Sequence, residues 1–98
     1  MATLRRHGTS TRGSAARIVS GIGALFAIIE VVYILLVVLG ANMANAFSRF
    51  VASIAEPLAL FFPGLFPIAD YNLAVIVTYG LAAVFWLVVA GIIARLIR

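Results

Sequence analysis

Few side chains in this sequence are of types that carry acid–base, nucleophilic or metal chemistry. Its 98 residues include no cysteine, one histidine and three acidic residues, Glu30, Glu56 and Asp70. His7 stands alone near the start of the chain, and the three acids fall in different parts of it. A catalytic pair or a metal site needs several such groups close together, and a haem carrier needs an axial histidine or methionine within its apolar segments. The residues therefore predict a protein without enzyme activity and without a cofactor.

Glu30 is the most informative acidic residue for predicting helix contacts, because it lies near the middle of an apolar run. An acidic side chain at the centre of a membrane helix costs at least ~2.5–3.5 kcal/mol. Helical spacing puts it on one face with Gly23, seven residues earlier, Ala27, three residues earlier, and Ile34, four residues later. Since small residues dominate that face, we expect Glu30 to point toward protein rather than lipid.

Three roles for Glu30 are open. It can form a neutral interhelical hydrogen bond, for which Thr78 and Tyr79 supply the hydroxyl groups expected at a similar depth. It can instead contact a cation of another subunit, or it can act in a proton or ion relay. A relay normally needs further ionisable groups, and the apolar segments supply none. The sequence therefore favours a contact role, either within the chain or between subunits.

Two long apolar segments must position these residues. The segments at about residues 18–39 and 72–94 each match the ~20 residues that a helix needs to cross ~30 Å of hydrocarbon. Composition agrees, since 65% of the residues are hydrophobic and 10% are charged, with a mean hydropathy of +1.22. The predicted fold is an all-α membrane protein built on an antiparallel two-helix transmembrane hairpin. The small residues expected to bring its helices together are Gly23, Ala27, Ala90, Gly91 and Ala94.

Arginines set the predicted orientation of the chain. All seven basic residues are arginine, and the formal net charge is +4. A tail over residues 1–17 precedes the first apolar segment, and two further arginines close the second segment. The positive-inside rule then predicts that both termini are cytoplasmic. The tail is expected to dock on anionic lipid, or alternatively on a partner protein, through Arg5, Arg6, Arg12 and Arg17.

Two other interpretations of the N-terminal half are weaker. The arginines bracket the apolar segments and form no basic groove with interleaved aromatic residues, which argues against nucleic-acid binding. The sequence Ala44-Asn45-Ala46 resembles a signal-peptide cleavage site. The apolar run before it is longer than the roughly 7–15 residues of a signal peptide, and it contains Glu30. We therefore expect the first apolar helix to be retained.

The connector between the apolar segments is patterned. Gly40 is expected to end the first helix. Apolar residues then recur at helical spacing, which predicts an amphipathic interfacial helix over about residues 41–55, lying in the headgroup plane and ended by Pro57. An irregular aromatic segment follows at about residues 57–70 and needs an interface or a protein neighbour to satisfy its backbone. The connector residues expected to contact a partner are Glu56, Pro57, Phe61, Phe62, Phe66 and Asp70.

Short motifs follow one another between the two apolar segments. They are Leu39-Gly40-Ala41-Asn42-Met43-Ala44-Asn45-Ala46-Phe47, then Glu56-Pro57-Leu58, then Gly64-Leu65-Phe66 with Asp70 before the second segment. As an ordered set they resemble the YggT-type family of small bacterial membrane proteins, over about residues 25–98. The resemblance implies a two-span, non-enzymatic protein linked to osmotic tolerance, division-site organisation or maturation of cytochrome complexes.

The leading functional expectation is a non-catalytic accessory or assembly subunit of a larger membrane complex. The resemblance suggests a respiratory cytochrome complex as that assembly. The alternative is a stand-alone YggT-like envelope protein in osmotic response or cell division, and a small oligomeric channel with a ring of Glu30 residues is less favoured. Membrane lipids and other membrane subunits are the expected partners, without nucleic acid or a small-molecule substrate.

Overall fold

A computed structural model describes the backbone of residues 2–98 and the side chains of residues 11–98. In that part of the chain all regular secondary structure is helical: α1 spans Ala2–Val38, α2 spans Ala46–Leu58 and α3 spans Tyr71–Ile97. Two of these helices are long and apolar enough to cross a membrane, α1 through its stretch Thr11–Val38 and α3 along its whole length. The predicted all-helical class and the two long apolar helices are confirmed.

α1 extends further toward the N-terminus than the predicted span. The sequence predicts a separate tail over residues 1–17, but residues 11–17 continue the helix. No proline interrupts this part of the chain, and extending an existing helix avoids the cost of nucleating a new one. The side chains of Arg5 and Arg6 lie outside the described residues, whereas those of Arg12 and Arg17 are exposed on the helix surface.

Gly40 ends α1, as the sequence predicts. Its φ of 76° lies in the left-handed region, which glycine adopts without the penalty that a Cβ brings. The N–H of Ala41 donates to the carbonyl oxygen of Leu36 at 2.8 Å, and the N–H of Gly40 donates to that of Val37 at 3.1 Å. These two bonds form a Schellman motif, which satisfies carbonyl groups that the helix end leaves open. The chain therefore leaves α1 in a defined direction.

α1 and α3 pack side by side and run in opposite directions. Gly23 lies against Ala90, and further along α1 the ring of Tyr33 lies 4.5 Å from that of Tyr79. Contacts therefore move toward the start of α3 as residue numbers rise in α1. A Cβ on Gly23 would overlap the Cβ of Ala90. The helices can therefore approach this closely only because glycine has no side chain.

Most of the predicted packing residues lie in this contact. Gly23, Ala27, Ala90 and Ala94 are buried. Gly91 is the exception, because it is exposed and a Cβ built on it meets no atom within 4 Å. It follows Ala90 by one residue, which turns it about 100° around the helix and away from α1. Its prediction as a packing residue is therefore wrong.

α2 starts later and ends later than the predicted helix at residues 41–55. Asn45 caps its N-terminus, accepting at Oδ1 from the N–H of Phe47 at 2.7 Å and from that of Ser48 at 3.4 Å. This cap satisfies donors that the first helical turn cannot pair, so the helix begins at Ala46 rather than nearer to Gly40.

Pro57 lies inside the last turn of α2 and does not end the helix as predicted. Its ring holds φ near −65°, a value that the helix accepts, but the carbonyl of Ser53 loses its N–H donor and is crowded by the ring, a cost that the last turn bears. The chain leaves the helix at Leu60, whose φ of 58° is the left-handed conformation that stops helical propagation.

α2 packs along α1 rather than across the ends of α1 and α3. Its buried face carries Val51 and Ala55, which join Tyr33 of α1 and Val75 of α3 in one hydrophobic core. α2 thus buries part of its apolar stripe against α1, and its position relative to the headgroup plane stays a prediction.

Candidate functional site

The polar side chains of the interior gather where the three helices meet. The hydroxyl of Tyr33 donates to Oε2 of Glu56 at 3.3 Å, which joins α1 to α2. The ring of Tyr33 is tilted by 48° against that of Tyr79, which joins α1 to α3. Tyr79 lies within electrostatic range of both Glu30 and Glu56. We call Glu30, Tyr33, Glu56 and Tyr79 the tyrosine–carboxylate cluster.

Glu30 is the most enclosed member of this cluster. Its side chain has 0% exposure, and neither carboxylate oxygen has a hydrogen-bond partner among the described residues. The predicted hydrogen bond to Thr78 or Tyr79 is therefore not formed, although both residues are half-buried nearby on α3. Burial of a polar group without a partner costs free energy, so Glu30 is a local weakness in the packing.

The burial of Glu30 also bears on its other predicted roles. A direct contact with another subunit, or a ring of carboxylates around a pore, needs an exposed side chain. Glu30 is instead covered entirely by its own chain. The surface available for contact therefore belongs to other residues, and the carboxylates of Glu56 and Asp70 are both exposed there.

Glu56 has a partner inside the chain and yet lies on the surface. On α2 it shares a flank with residues three and seven positions earlier, Ser53 and Arg49, and all three are exposed. We call these three residues the polar flank of α2. The hydroxyl of Ser53 donates to the carbonyl oxygen of Phe50 at 2.6 Å. Because this bond stays within α2, no other helix covers the polar flank at Ser53.

The sequence predicted contact roles for Glu56 but did not identify Tyr33. Tyr33 is one of the most buried side chains of the described part, at 6% exposure. It lies three residues after Glu30, which is the spacing of neighbours on one helix face. A buried tyrosine usually needs a partner for its hydroxyl, so this spacing was the available signal.

The C-terminal end of α2 is held beside the middle of α3. Nε1 of Trp86 donates to the carbonyl oxygen of Leu58 at 2.8 Å. Trp86 lies near the centre of Tyr71–Ile97, and its ring meets that of Phe26 edge-on at 5.0 Å. The end of α2 therefore reaches the central part of the α1–α3 pair.

The aromatic segment after α2 attaches at the same depth. Phe61 and Phe62 stack on each other at 4.6 Å, and both rings meet Phe85 edge-on. Phe85 in turn contacts Trp86 at 5.5 Å. Of the predicted aromatic patch, Phe61 and Phe66 are exposed, whereas Phe62 is half-buried. Only part of that patch is therefore free to meet a neighbour.

The remaining predicted connector residues, Asp70 and Pro57, lie at the start of α3 and at the end of α2. Asp70 caps α3, because its Oδ2 accepts from the N–H of Leu73 at 2.8 Å. Its carboxylate also lies at a helix N-terminus, where negative charge is favourable. Pro57 is exposed in the last turn of α2, beside the polar flank. Asp70 thus orders the start of α3, and the contact surface of α2 lies elsewhere.

The fold and this site together define an all-helical protein with two helices long enough to cross a membrane and polar groups buried between helices. Among the described residues, no three histidine, cysteine or acidic side chains come together as a metal-binding group. No protein-family model, curated protein or solved structure matches the chain. The resemblance to the YggT-type family therefore stays a prediction from the connector motifs.

Proposed function

We propose that the chain is an integral membrane protein that acts as a non-catalytic accessory or assembly subunit of a larger membrane complex. α1 and α3 form its transmembrane hairpin, and α2 enters the membrane beside them. The contact surface for the larger complex is the polar flank of α2. The support comes in three steps: the apolar surface of the long helices, the depth of α2, and the exposure of Glu56.

The apolar surface of the long helices supports a membrane location. Their apolar stretches of 28 and 27 residues are about 40 Å long, which exceeds the ~30 Å of bilayer hydrocarbon. Within an apolar window of 18 residues in each stretch, only 22% is buried in α1 and 33% in α3. Core helices of a water-soluble protein bury far more of their surface. Exposed leucine, isoleucine and valine along both helices therefore suit contact with lipid.

The arginines support an orientation with cytoplasmic termini. Arg17 and Arg95 lie at one end of the helix pair, with Arg98 beyond them, and Asp70 lies at the other end. The positive-inside rule assigns the arginine-rich end to the cytoplasm. The connector and the start of α2 then face the opposite side, and the bacterial inner membrane is the matching compartment.

The depth of α2 supports an intramembrane contact surface. Its end is bonded to Trp86, near the middle of α3, and its Glu56 is bonded to Tyr33 of α1. A helix that starts outside and ends at this depth runs into the bilayer, where backbone is tolerated only next to protein or water. α1 covers one side of it, and the polar flank is exposed apart from the bond between Tyr33 and Glu56.

The exposure of Glu56 is the observation that carries the proposal. A carboxylate facing lipid within the hydrocarbon is costly, and the cost reaches about 2.5–3.5 kcal/mol or more at the bilayer centre. A polar or cationic surface of another membrane protein removes that cost by giving Glu56 a second partner. The exposed Ser53 above it extends the same surface toward the outer face.

Affinity purification in a mild detergent, followed by mass spectrometry, tests this function. The tagged full-length chain is expected to bring down a defined set of larger membrane proteins, and the resemblance makes respiratory cytochrome components the first to look for. Recovery of the chain with only its own copies and lipid would overturn the proposal and favour a stand-alone envelope protein.

A further inference from the structure

An open cleft of about 460 Å³ separates α1 from α3 at the arginine-rich end of the pair. Arg17 lines it from α1, and Arg95 and Arg98 line it from α3. The acidic side chains of the chain lie elsewhere: two are in the tyrosine–carboxylate cluster, and the third caps α3. Three guanidinium groups thus face one space without a carboxylate side chain among its lining residues.

Small residues create the space between these arginines. Ala16 and Ala94 are buried where the two helices meet, at 4% and 6% exposure. Gly91 lies beside them, and no atom stands within 4 Å of the position that its Cβ would occupy. The cleft is therefore open because short side chains line it together with the three arginines.

A separate apolar groove of about 510 Å³ lies further along α1. Arg17 and Ser20 line the cleft, and Ala24, Ala27 and Val31 line the groove. These five residues recur at intervals of three or four positions, which is the spacing of one helix face. The cleft and the groove therefore lie on the same side of α1.

The lining residues of α3 repeat this arrangement. Gly80 and Leu87 line the groove, and Gly91 and Arg95 line the cleft, at spacings of seven, four and four residues. Gly80 leaves its part of the groove open, because a Cβ there would meet no atom within 4 Å. The cationic cleft and the apolar groove share no lining residue, but they lie in line on one face of the helix pair, and we call them together the channel.

We propose that this channel binds one acidic phospholipid. Its phosphate would lie among Arg17, Arg95 and Arg98, and one acyl chain would lie in the groove. Guanidinium groups hold phosphate oxygens through paired, charge-assisted hydrogen bonds, so three of them favour an anionic headgroup. The inference rests on the proposed membrane location of α1 and α3, and it is independent of any partner subunit.

The dimensions of the channel suit a lipid of one leaflet. Arg17 and Arg95 stand at the ends of the apolar segments, which is the level of the headgroups. From Arg17 to Val31 the helix rises by about 21 Å, at 1.5 Å per residue. Half of the hydrocarbon core is about 15 Å, so the groove follows an acyl chain through its own leaflet.

Native mass spectrometry of the purified full-length protein in detergent tests the proposal. Phosphatidylglycerol and phosphatidylcholine with the same acyl chains are titrated separately. We expect phosphatidylglycerol to bind roughly tenfold more tightly, since each basic residue near the site adds to the attraction. The double variant R17Q/R95Q is expected to lose this preference. As a pair matched in charge, R17Q is expected to weaken the preference, whereas R49Q, on α2 and outside the cleft, is expected to keep it.

Two further arms separate a lipid site from a simple anion site. Gly80→Leu places a side chain in the groove at a position where a Cβ meets no atom within 4 Å, and it is expected to weaken the binding of both lipids several-fold while the protein stays folded by circular dichroism. Inorganic phosphate is expected to compete poorly, because it has no acyl chain. Equal binding of the two lipids, or displacement of phosphatidylglycerol by millimolar phosphate with no effect of Gly80→Leu, would overturn the assignment. Because no partner protein is present, these results stand apart from the purification test of the proposed function.

Discussion

Trp86 and Leu58 are joined by a hydrogen bond of 2.8 Å, from the indole N–H of α3 to the last backbone carbonyl of α2. The carbonyls of a final helical turn have no partner within their own helix. In water the solvent would satisfy this one, but in the proposed membrane location a protein donor must do so. The bond therefore sets how far α2 descends along α1 and α3.

Replacement of Trp86 by Phe tests the importance of this bond. The aromatic packing against Phe26 is largely kept, but the carbonyl of Leu58 loses its donor. We expect the free energy of unfolding in detergent to fall by about 1–3 kcal/mol, the usual cost of a buried polar group without a partner. Tyr71→Phe, at an exposed tyrosine, is the control and is expected to change stability by less than about 0.5 kcal/mol. Equal effects of the two variants would show that the bond between Trp86 and Leu58 adds little to the free energy of unfolding.

The glycines of α1 provide a matched pair for the contact between α1 and α3. A Cβ on Gly23 would overlap Ala90 and come within 2.9 Å of the carbonyl oxygen of Trp86, whereas a Cβ on Gly21 would meet nothing within 4 Å. Gly23→Leu is expected to separate the helices and to destabilise the fold by on the order of 1–3 kcal/mol. Gly21→Leu should be neutral or slightly stabilising, because leucine favours helix. Thermal unfolding followed by circular dichroism compares them, and a stable Gly23→Leu variant would contradict the observed packing.

Labelling of single cysteines measures how deep α2 goes. The natural chain has no cysteine, so each introduced thiol is unique. Ala44 and Leu60 are both exposed at the surface of the chain, but they lie before and after α2. In intact vesicles, a membrane-impermeant maleimide is expected to label Ala44→Cys and to leave Leu60→Cys unmodified until detergent is added. Similar labelling of both before detergent would instead support a helix in the headgroup plane.

Substitution of Glu30 tests the absence of a partner for its carboxylate. Glu30→Leu removes a buried polar group that has no hydrogen bond, so the free energy of unfolding is expected to rise by about 1–3 kcal/mol. Glu30→Gln keeps the shape and the polarity, and we expect a smaller change. Denaturation in mixed micelles measures both variants. A large loss of stability in the leucine variant that glutamine avoids would reveal a hydrogen bond that Glu30 makes after all.

Local chemistry explains which parts of the fold were predictable from the sequence. The end of α1 follows from Gly40 alone, and the two long helices follow from length and apolar composition. The face shared by Gly23, Ala27 and Glu30 follows from helical spacing, and all three residues are buried. Each of these predictions depends on residues within a few turns of one helix.

The position of α2 was not predictable in the same way. It depends on Tyr33 with Glu56 and on Trp86 with Leu58, pairs that are 23 and 28 residues apart in the chain. An amphipathic pattern identifies a helix with two faces, but it does not say whether the polar face meets water or another protein. Tyr33 and Trp86 lie on the long helices and donate hydrogen bonds to Glu56 and Leu58 of α2. These bonds hold α2 against the long helices.

The accessory-subunit proposal depends most directly on the polar flank of α2. Ser53→Trp adds bulk to that flank, and Gly21→Trp adds the same bulk to an exposed position of α1. Each tagged variant and the natural chain are purified in mild detergent, and co-purifying membrane proteins are quantified by mass spectrometry. We expect Ser53→Trp to reduce the recovery of the partner complex by roughly tenfold, as a blocked interface does, with no change for Gly21→Trp. Equal recovery with both variants would contradict the proposal that this flank binds the larger complex.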